Sequence, residues 1–209
     1  VVDLVSRRLP KSYGYDPLRD IQVITPAKQG PLGTRELNRL LQGKLNPPER
    51  GKGEATLMGR TLREGDKVMQ IRNNYDIIWQ QPDGTAGTGI FNGDMGIIEM
   101  LDPGSKTIQV RFEEKLATYS FENQDQLEHA YAVTVHKSQG SEFEAVVMPL
   151  ERRHPKLHYR NLLYTAVTRA RKLLIMTGQK ETVYAMVQNN RRTLRYTNQK
   201  EMLQEMCDE

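Results

Sequence analysis

Thr134, His136, Lys137 and Ser138 crowd hydroxyl, imidazole and ammonium groups into one short stretch, and Gly140 and Glu142 follow directly. His136, Lys137 and Ser138 could simply satisfy a loop, while a glycine lets backbone approach a ligand closely or take positive φ. Glu142 also reads as a helix N-cap or first-turn acid, favourable to the helix dipole. Further along, Val167-Thr-Arg-Ala170 carries Arg169. A guanidinium is permanently charged and forked, which suits phosphate; the alternative is a surface arginine paired with a carboxylate. Arg171 has a competing role in supporting the fold. Thr25 and Pro26 end another apolar run and read either as a strand terminator or as a phosphate-backbone contact.

The elements that must position these groups alternate between short strands and helices, which points to a parallel sheet. Ala132 to Val135 and Ala145 to Met148 read as strands on either side of the polar loop. In open α/β sheets such loops bind ligands at the carboxyl ends of strands. A helix is expected near 159–171, with Leu162, Leu163, Ala166, Val167 and Ala170 on one face and Asn161, Thr165, Thr168, Arg169 and Lys172 on another. A strand over 172–177 and a helix from about Lys180 follow. Towards the N-terminus, residues 1–8 look helical, Pro10 to Pro17 reads as a linker, and Asp20 to Thr25 as a strand. Thr34 can cap a helix carrying Leu37, Leu40 and Leu41, which Asn46 to Gly53 breaks.

From about Arg63 the apolar period changes to two. Strands are expected over 67–72, 95–101 and 107–112, with a further alternation through Ala117, Tyr119 and Phe121. Pro103 and Gly104 make a turn between two of them. The pattern is an antiparallel meander set inside an α/β framework, suggesting a small barrel, and 81–89 reads as a mobile loop. Asn73, Asn74, Tyr75, Trp79, Phe91 and Asn92 mix aromatics with amides, the way single strands are held. Core packing explains Phe91 and Tyr119 equally well, and Trp79 is the better exposed candidate.

The chain has 209 residues, 37% of them hydrophobic, enough for one large domain or two small ones. No apolar run approaches the length of a membrane span, no leader is recognisable in the first residues, and a start without Met inside a helix reads as a cut-out piece. The single cysteine, Cys207, excludes an intrachain disulfide and fits a reducing cytoplasm. The formal charge of +4 is modest, but Arg152 to Lys180 holds eight Lys or Arg and no Asp or Glu, and Arg191, Arg192 and Arg195 follow. One-sign stretches favour a polyanion. The sequence contains no Gly-x-x-x-x-Gly-Lys-Ser/Thr loop for phosphates, and Gly51-Lys-Gly53 has the wrong spacing. No Asp-Glu pair follows an apolar strand, the histidines and the cysteine lack metal-ligand spacing, and no nucleophile triad or nuclease-like carboxylate cluster is present.

Tyr131-Ala-Val-Thr-Val-His-Lys-Ser-Gln-Gly-Ser-Glu-Phe143 and Leu162-Leu-Tyr-Thr-Ala-Val-Thr-Arg-Ala-Arg171 resemble motifs V and VI of superfamily 1 helicases, in the RecD-like branch. Val23 to Gly30 with Leu37 to Gln42, Gly65 to Asp76, and Phe91 to Asp94 resemble the same branch in the same order. The resemblance implies a RecA-like parallel-sheet motor domain without its P-loop, carrying an inserted SH3-like antiparallel β-barrel. Its parts are expected at 1–63 (first part of the motor domain), 64–128 (barrel) and 129–209 (remainder). It implies that Arg169 reaches the γ-phosphate as an arginine finger, that Gly140 and Glu142 touch nucleotide, and that Thr25, Pro26, Thr134, His136, Lys137 and Ser138 touch single-stranded DNA. The intact enzyme is expected to use ATP and Mg2+, to move 5′ to 3′ on DNA in recombination and repair, and to reside in the cytoplasm. Expected partners are the N-terminal motor domain of the same parent chain and other recombination–repair subunits. The chain alone is expected to hold no cofactor and to be inactive as an ATPase. The alternative from another class is a non-catalytic nucleic-acid- or protein-binding module using the barrel and the basic face.

Overall fold

The computed structural model describes residues 1–151 and 157–190. Arg152, Arg153, Lys156, Arg191, Arg192, Arg195 and Cys207 lie outside the described residues. A π-helical turn over Leu4–Arg8 runs into α1 (Leu9–Tyr13), so part of the expected linker is helical, and Gly14 ends it with φ +72°. Then come β1 (Ile21–Thr25), α2 (Thr34–Leu45) and a hairpin of β2 (Glu54–Leu57) and β3 (Arg60–Arg63). The antiparallel region comprises β4 (Lys67–Gln70), β5 (Asn74–Gln80), β6 (Ala86–Ile90), β7 (Met95–Asp102), β8 (Thr107–Phe112), β9 (Lys115–Ser120) and β10 (Leu127–His129). The chain returns through β11 (Ala132–Thr134), β12 (Phe143–Pro149), α3 (Arg160–Val167), β13 (Ala170–Thr177) and α4 (Lys180–Gln188).

β1, β11, β12 and β13 form a four-stranded, wholly parallel sheet in the order β11-β1-β12-β13. Alternate residues of β12 face opposite layers, as strand geometry requires. Ala145 and Val147 join Val5, Leu9, Leu37 and Leu41 on the N-terminal and α2 side, while Val146 and Met148 join Leu162, Leu163, Ala166 and Met186 under α3 and α4. β1 is buried throughout, and its Gln22 side chain donates to the carbonyls of Ala130 (3.0 Å) and Tyr131 (3.2 Å). β11 ends the sheet, and Asn38 of α2 caps its open edge by accepting from Ala132 N (2.7 Å) and donating to Ala132 O (2.9 Å).

The other large sheet has seven strands in the order β10-β4-β7-β8-β9-β5-β6. Its core holds Ile90, Ile98, Ile108, Val110, Phe112, Tyr119 and Leu127. Three elements differ from expectation. β6 occupies much of the expected loop at 81–89, where Gly87 lies under the Trp79 indole so closely that a Cβ would sit 2.5 Å from the ring. Gly87 and Gly89 there each lie against a ring, of Trp79 and Phe91, whereas Gly84 faces open space. Trp79 is therefore half-buried, with Lys115 Nζ 4.8 Å from its ring centre on the barrel surface; it is Tyr75 and Phe91 that form the exposed aromatic pair, edge to face at 5.6 Å. The β2–β3 hairpin, where β2 alternates over only four residues, and the three-residue β10 are too short to stand out in the sequence and are held by pairing with their neighbours. The helix expected to reach 171 stops at Val167, because β12 captures the chain from Ala170 as an adjacent strand.

One buried carboxylate joins the two sheets. Asp66 accepts from Gln42 Nε2 (2.7 Å), Asn46 Nδ2 (2.7 Å), the Arg63 amide (2.9 Å) and the Tyr131 hydroxyl (2.8 Å), with His129 Nε2 at 3.1 Å. Burial, with Asp66 beside it, pushes the Tyr131 phenol well above its ordinary range. Thus α2, the hairpin, the first barrel strand and the return strand share one polar centre.

Candidate functional site

β1 and β11 end side by side, with Thr25 opposite Thr134. The segment after β1 folds over the start of α2, whose first amides donate to the carbonyls of Ala27 (3.1 Å) and Lys28 (3.2 Å). Gly33, not Thr34, is the cap residue of that helix. After β11 the chain makes a helical turn, closed by Ser138 N to Thr134 O (3.1 Å) and by Ser138 Oγ to Val135 O (2.8 Å). An open depression between the two segments is lined by Pro26, Lys28, Gln29, Thr134, His136 and Lys137.

The six residues expected at nucleic acid divide here. Thr25 is buried and its hydroxyl donates to Leu32 O (2.7 Å), while Ser138 is fully buried and spends its hydroxyl on the turn. In this structure both hydroxyls are buried and spent on backbone carbonyls. Thr134 Oγ1 accepts from the Lys137 amide at 3.3 Å and sits at the floor. His136 is exposed, with its Nε2 3.5 Å from the Tyr159 hydroxyl, and Lys137 and Pro26 are partly exposed. Lys137 Nζ bonds Glu128 Oε2 of β10 at 2.6 Å. Burial pushes the Glu128 carboxyl upward, but the hydrogen bond and charge of Lys137, with the charges of Arg60 and Lys28, outweigh it and hold the group below the usual carboxylate range. Sequence reading missed Glu128, just before the Tyr131 to Phe143 motif, and Lys28, inside the Val23 to Gly30 segment, because neither is marked by type or spacing.

The second set gathers at the opposite end of the strands. β12 and β13 begin together, with Phe143 opposite Ala170 and Phe143 N donating to Arg169 O (2.8 Å). Arg169 Nη1 donates to Ser141 O (3.0 Å), Nε to Thr165 O (3.2 Å) and Nη2 to Thr168 Oγ1 (3.2 Å). Among the described residues Arg169 makes no ion pair, so its charge is held in place without being neutralised. Gly140 is exposed at φ +87°, with open space where a Cβ would stand. Glu142 caps no helix, since β12 starts at the next residue; its Oε2 accepts from Arg171 Nε at 3.1 Å. Arg171 is the surface arginine paired to a carboxylate, and Arg169 is not. The first set lies at the carboxyl ends of β1 and β11. The second lies at the amino ends because residues 135–142 cross from one end of the sheet to the other. α3 runs alongside this crossing, from Tyr159 beside His136 to Arg169 beside Ser141.

The architecture is thus a parallel sheet layered by helices, interrupted by an antiparallel sheet, with polar sets at both ends of its strands. Residues 129–177 match the family model described as UvrD-like helicase C-terminal domain, and residues 37–112 match ATP-dependent RecD-like DNA helicase SH3 domain. The chain is 35% identical over 158 residues to the ATP-dependent RecD2 DNA helicase of Deinococcus radiodurans, covering 76% of this chain and 20% of that protein. It is 26% identical over 172 residues to RecBCD enzyme subunit RecD of Buchnera aphidicola, covering 81% of this chain and 26% of that one. The Pif1 helicase from Bacteroides, solved with ADP-AlF3 and ssDNA, shares the fold at a TM-score of 0.52 and 15% identity, over all of this chain and 50% of that one. The chain belongs to the RecD-like branch of superfamily 1 helicases, as a RecA-like domain with an SH3-like insertion. It spans 20% and 26% of the length of these two relatives. No helix among the described residues is long and apolar enough to cross a membrane.

Proposed function

We propose that this chain is the C-terminal motor half of an ATP-dependent 5′ to 3′ DNA helicase acting in recombination and repair. The observation that carries the reading is the placement of two polar sets at opposite ends of the same parallel strands, joined by residues 135–142 and by α3. Pro26, Thr134, His136 and Lys137 face single-stranded DNA, positioned by Thr25 and Ser138. Arg169 faces the nucleotide triphosphate, with Gly140 leaving room for it and Glu142 at its rim. The residues fit such a ligand: the Arg169 guanidinium is anchored by carbonyls rather than by a carboxylate, and nothing fills the space over Gly140. ATP with Mg2+ supplies the free energy for movement in the intact enzyme. Among the described residues no group of three His, Cys, Asp or Glu can hold a metal, and the proposal assigns the magnesium ligands and the phosphate loop to the N-terminal motor domain. The chain alone then turns over no ATP. Names among the relatives support further recombination–repair subunits as partners.

The test separates the two ends. Labelled single-stranded oligonucleotide should bind with a log-log salt slope of roughly −0.7 per phosphate contact. His136→Ala should weaken that binding and Arg169→Ala should barely change it. In the intact parent, Arg169→Ala should lower kcat for ATP hydrolysis by about 10³–10⁵, the range of arginine fingers elsewhere, and Lys should not restore it fully because it loses the fork. Equal losses of DNA binding from both variants would end the division into two faces.

A further inference from the structure

Glu128 belongs to the barrel, yet its carboxylate reaches the DNA-facing loop. β10 hands the chain to β11 after only Ala130 and Tyr131, so Glu128 is fixed beside the segment that carries Lys137. The Lys137 backbone is held by Thr134 Oγ1 and by the turn that Ser138 closes. Its side chain leaves the open depression and bonds Glu128 Oε2 at 2.6 Å. The two side chains are 25% and 42% exposed, so neither is sealed in and the pair can open without unfolding anything. Lys28 and Arg60 also bear on the same carboxylate, and Arg60 is tied to Leu127 O at 2.9 Å. One carboxylate thus stands among three cations, as a phosphate would.

We propose that Glu128 is a built-in competitor for nucleic-acid phosphate: in the free chain it holds Lys137, and single-stranded DNA must displace it to engage that lysine. The inference rests on the reading of this loop as DNA-facing. A half-exposed ion pair contributes little net stability, whereas a phosphate brings its own charge-assisted bond and releases counterions. The exchange is therefore feasible, and it lowers affinity by the cost of opening the pair. The barrel would thereby set how tightly the motor grips its strand.

The experiment is fluorescence anisotropy with a labelled oligothymidylate at several salt concentrations, on the 209-residue chain and three variants: Glu128→Gln, Lys137→Ala and the double variant. Glu128→Gln should bind roughly two- to fivefold more tightly at low salt, the cost of opening such a pair, with a nearly unchanged salt slope, since DNA engages the same phosphates in both proteins. The double variant should lose that gain, because the freed lysine is its source. A gain that persists in the double variant would show a general charge effect and overturn the proposal. If the unaltered chain binds in a salt-dependent way and Glu128→Gln, folded by circular dichroism, binds no tighter, the competitor role falls and the DNA-facing reading stands. If no variant binds at all, both fall.

Discussion

Replacing Lys67 with Met should stabilise this chain at neutral pH, although it removes a charge and a hydrogen-bond donor. Lys67 opens β4 and is 5% exposed. Among the described residues its ammonium finds only the Ile21 carbonyl at a long 3.4 Å and the Phe143 ring at 6.0 Å. Burial is the dominant influence on it, and the more distant charges of Asp16 and Asp20 offset that only partly, so its pKa is pushed down from 10.5 to about 8. At about 1.4 kcal/mol per unit, the folded state carries a penalty of about 3 kcal/mol for keeping this lysine charged. The unfolded chain binds the proton more tightly than the folded chain. Stability therefore rises with pH from about 8 to about 10.5, and the penalty is fully present below about 8. Methionine is unbranched, of similar length, and has no charge to desolvate. Lys67→Met should gain about 2–3 kcal/mol at pH 7, the lost contacts taking back part of the sum. The gain should shrink towards zero as pH rises through 10.5, where the lysine of the unaltered chain is neutral when folded and half neutral when unfolded. Urea unfolding of both proteins at pH 7, 9 and 10.5 measures it. A gain independent of pH, or a loss at pH 7 with the fold intact, would refute the reasoning, since either means the ammonium is hydrated or better paired than its surroundings show.

Two further outcomes follow from buried polarity and backbone strain. Asp66→Ala should cost about 3–5 kcal/mol or prevent folding, because Gln42, Asn46, Tyr131 and the Arg63 amide lose their shared acceptor at once; chemical denaturation with hydrogen exchange at β4 and β11 reads it, and a loss under 1 kcal/mol would contradict the network's role. Met58→Asn should stabilise by about 1 kcal/mol, because Met58 takes φ +49° ahead of Gly59 at +74° in the β2–β3 turn and is 75% exposed, so no packing is lost; an unchanged thermal midpoint would show that the turn bears no strain.

Much of this protein was legible in the residues themselves. Strand and helix periods are local properties of β12, β7, β8 and α2, so the α/β frame and the antiparallel insertion could be read directly. The motif around His136 to Glu142 and the Val-Thr-Arg-Ala segment carried the family. What the sequence could not supply depends on partners distant along the chain. β6 exists because Trp79 lies on Gly87, and a glycine-rich run looks the same whether it bends freely or receives a ring. Thr25 and Ser138 have the chemistry of ligand contacts, but only the packed loops consume their hydroxyls, at Leu32 and Val135. The two ends of the sheet were separated by the crossing of residues 135–142, which follows from β1 lying between β11 and β12. Glu128 and Lys137 are only nine residues apart, yet they meet because the chain steps from the edge of one sheet to the edge of the other between them, and local periodicity holds no record of that step.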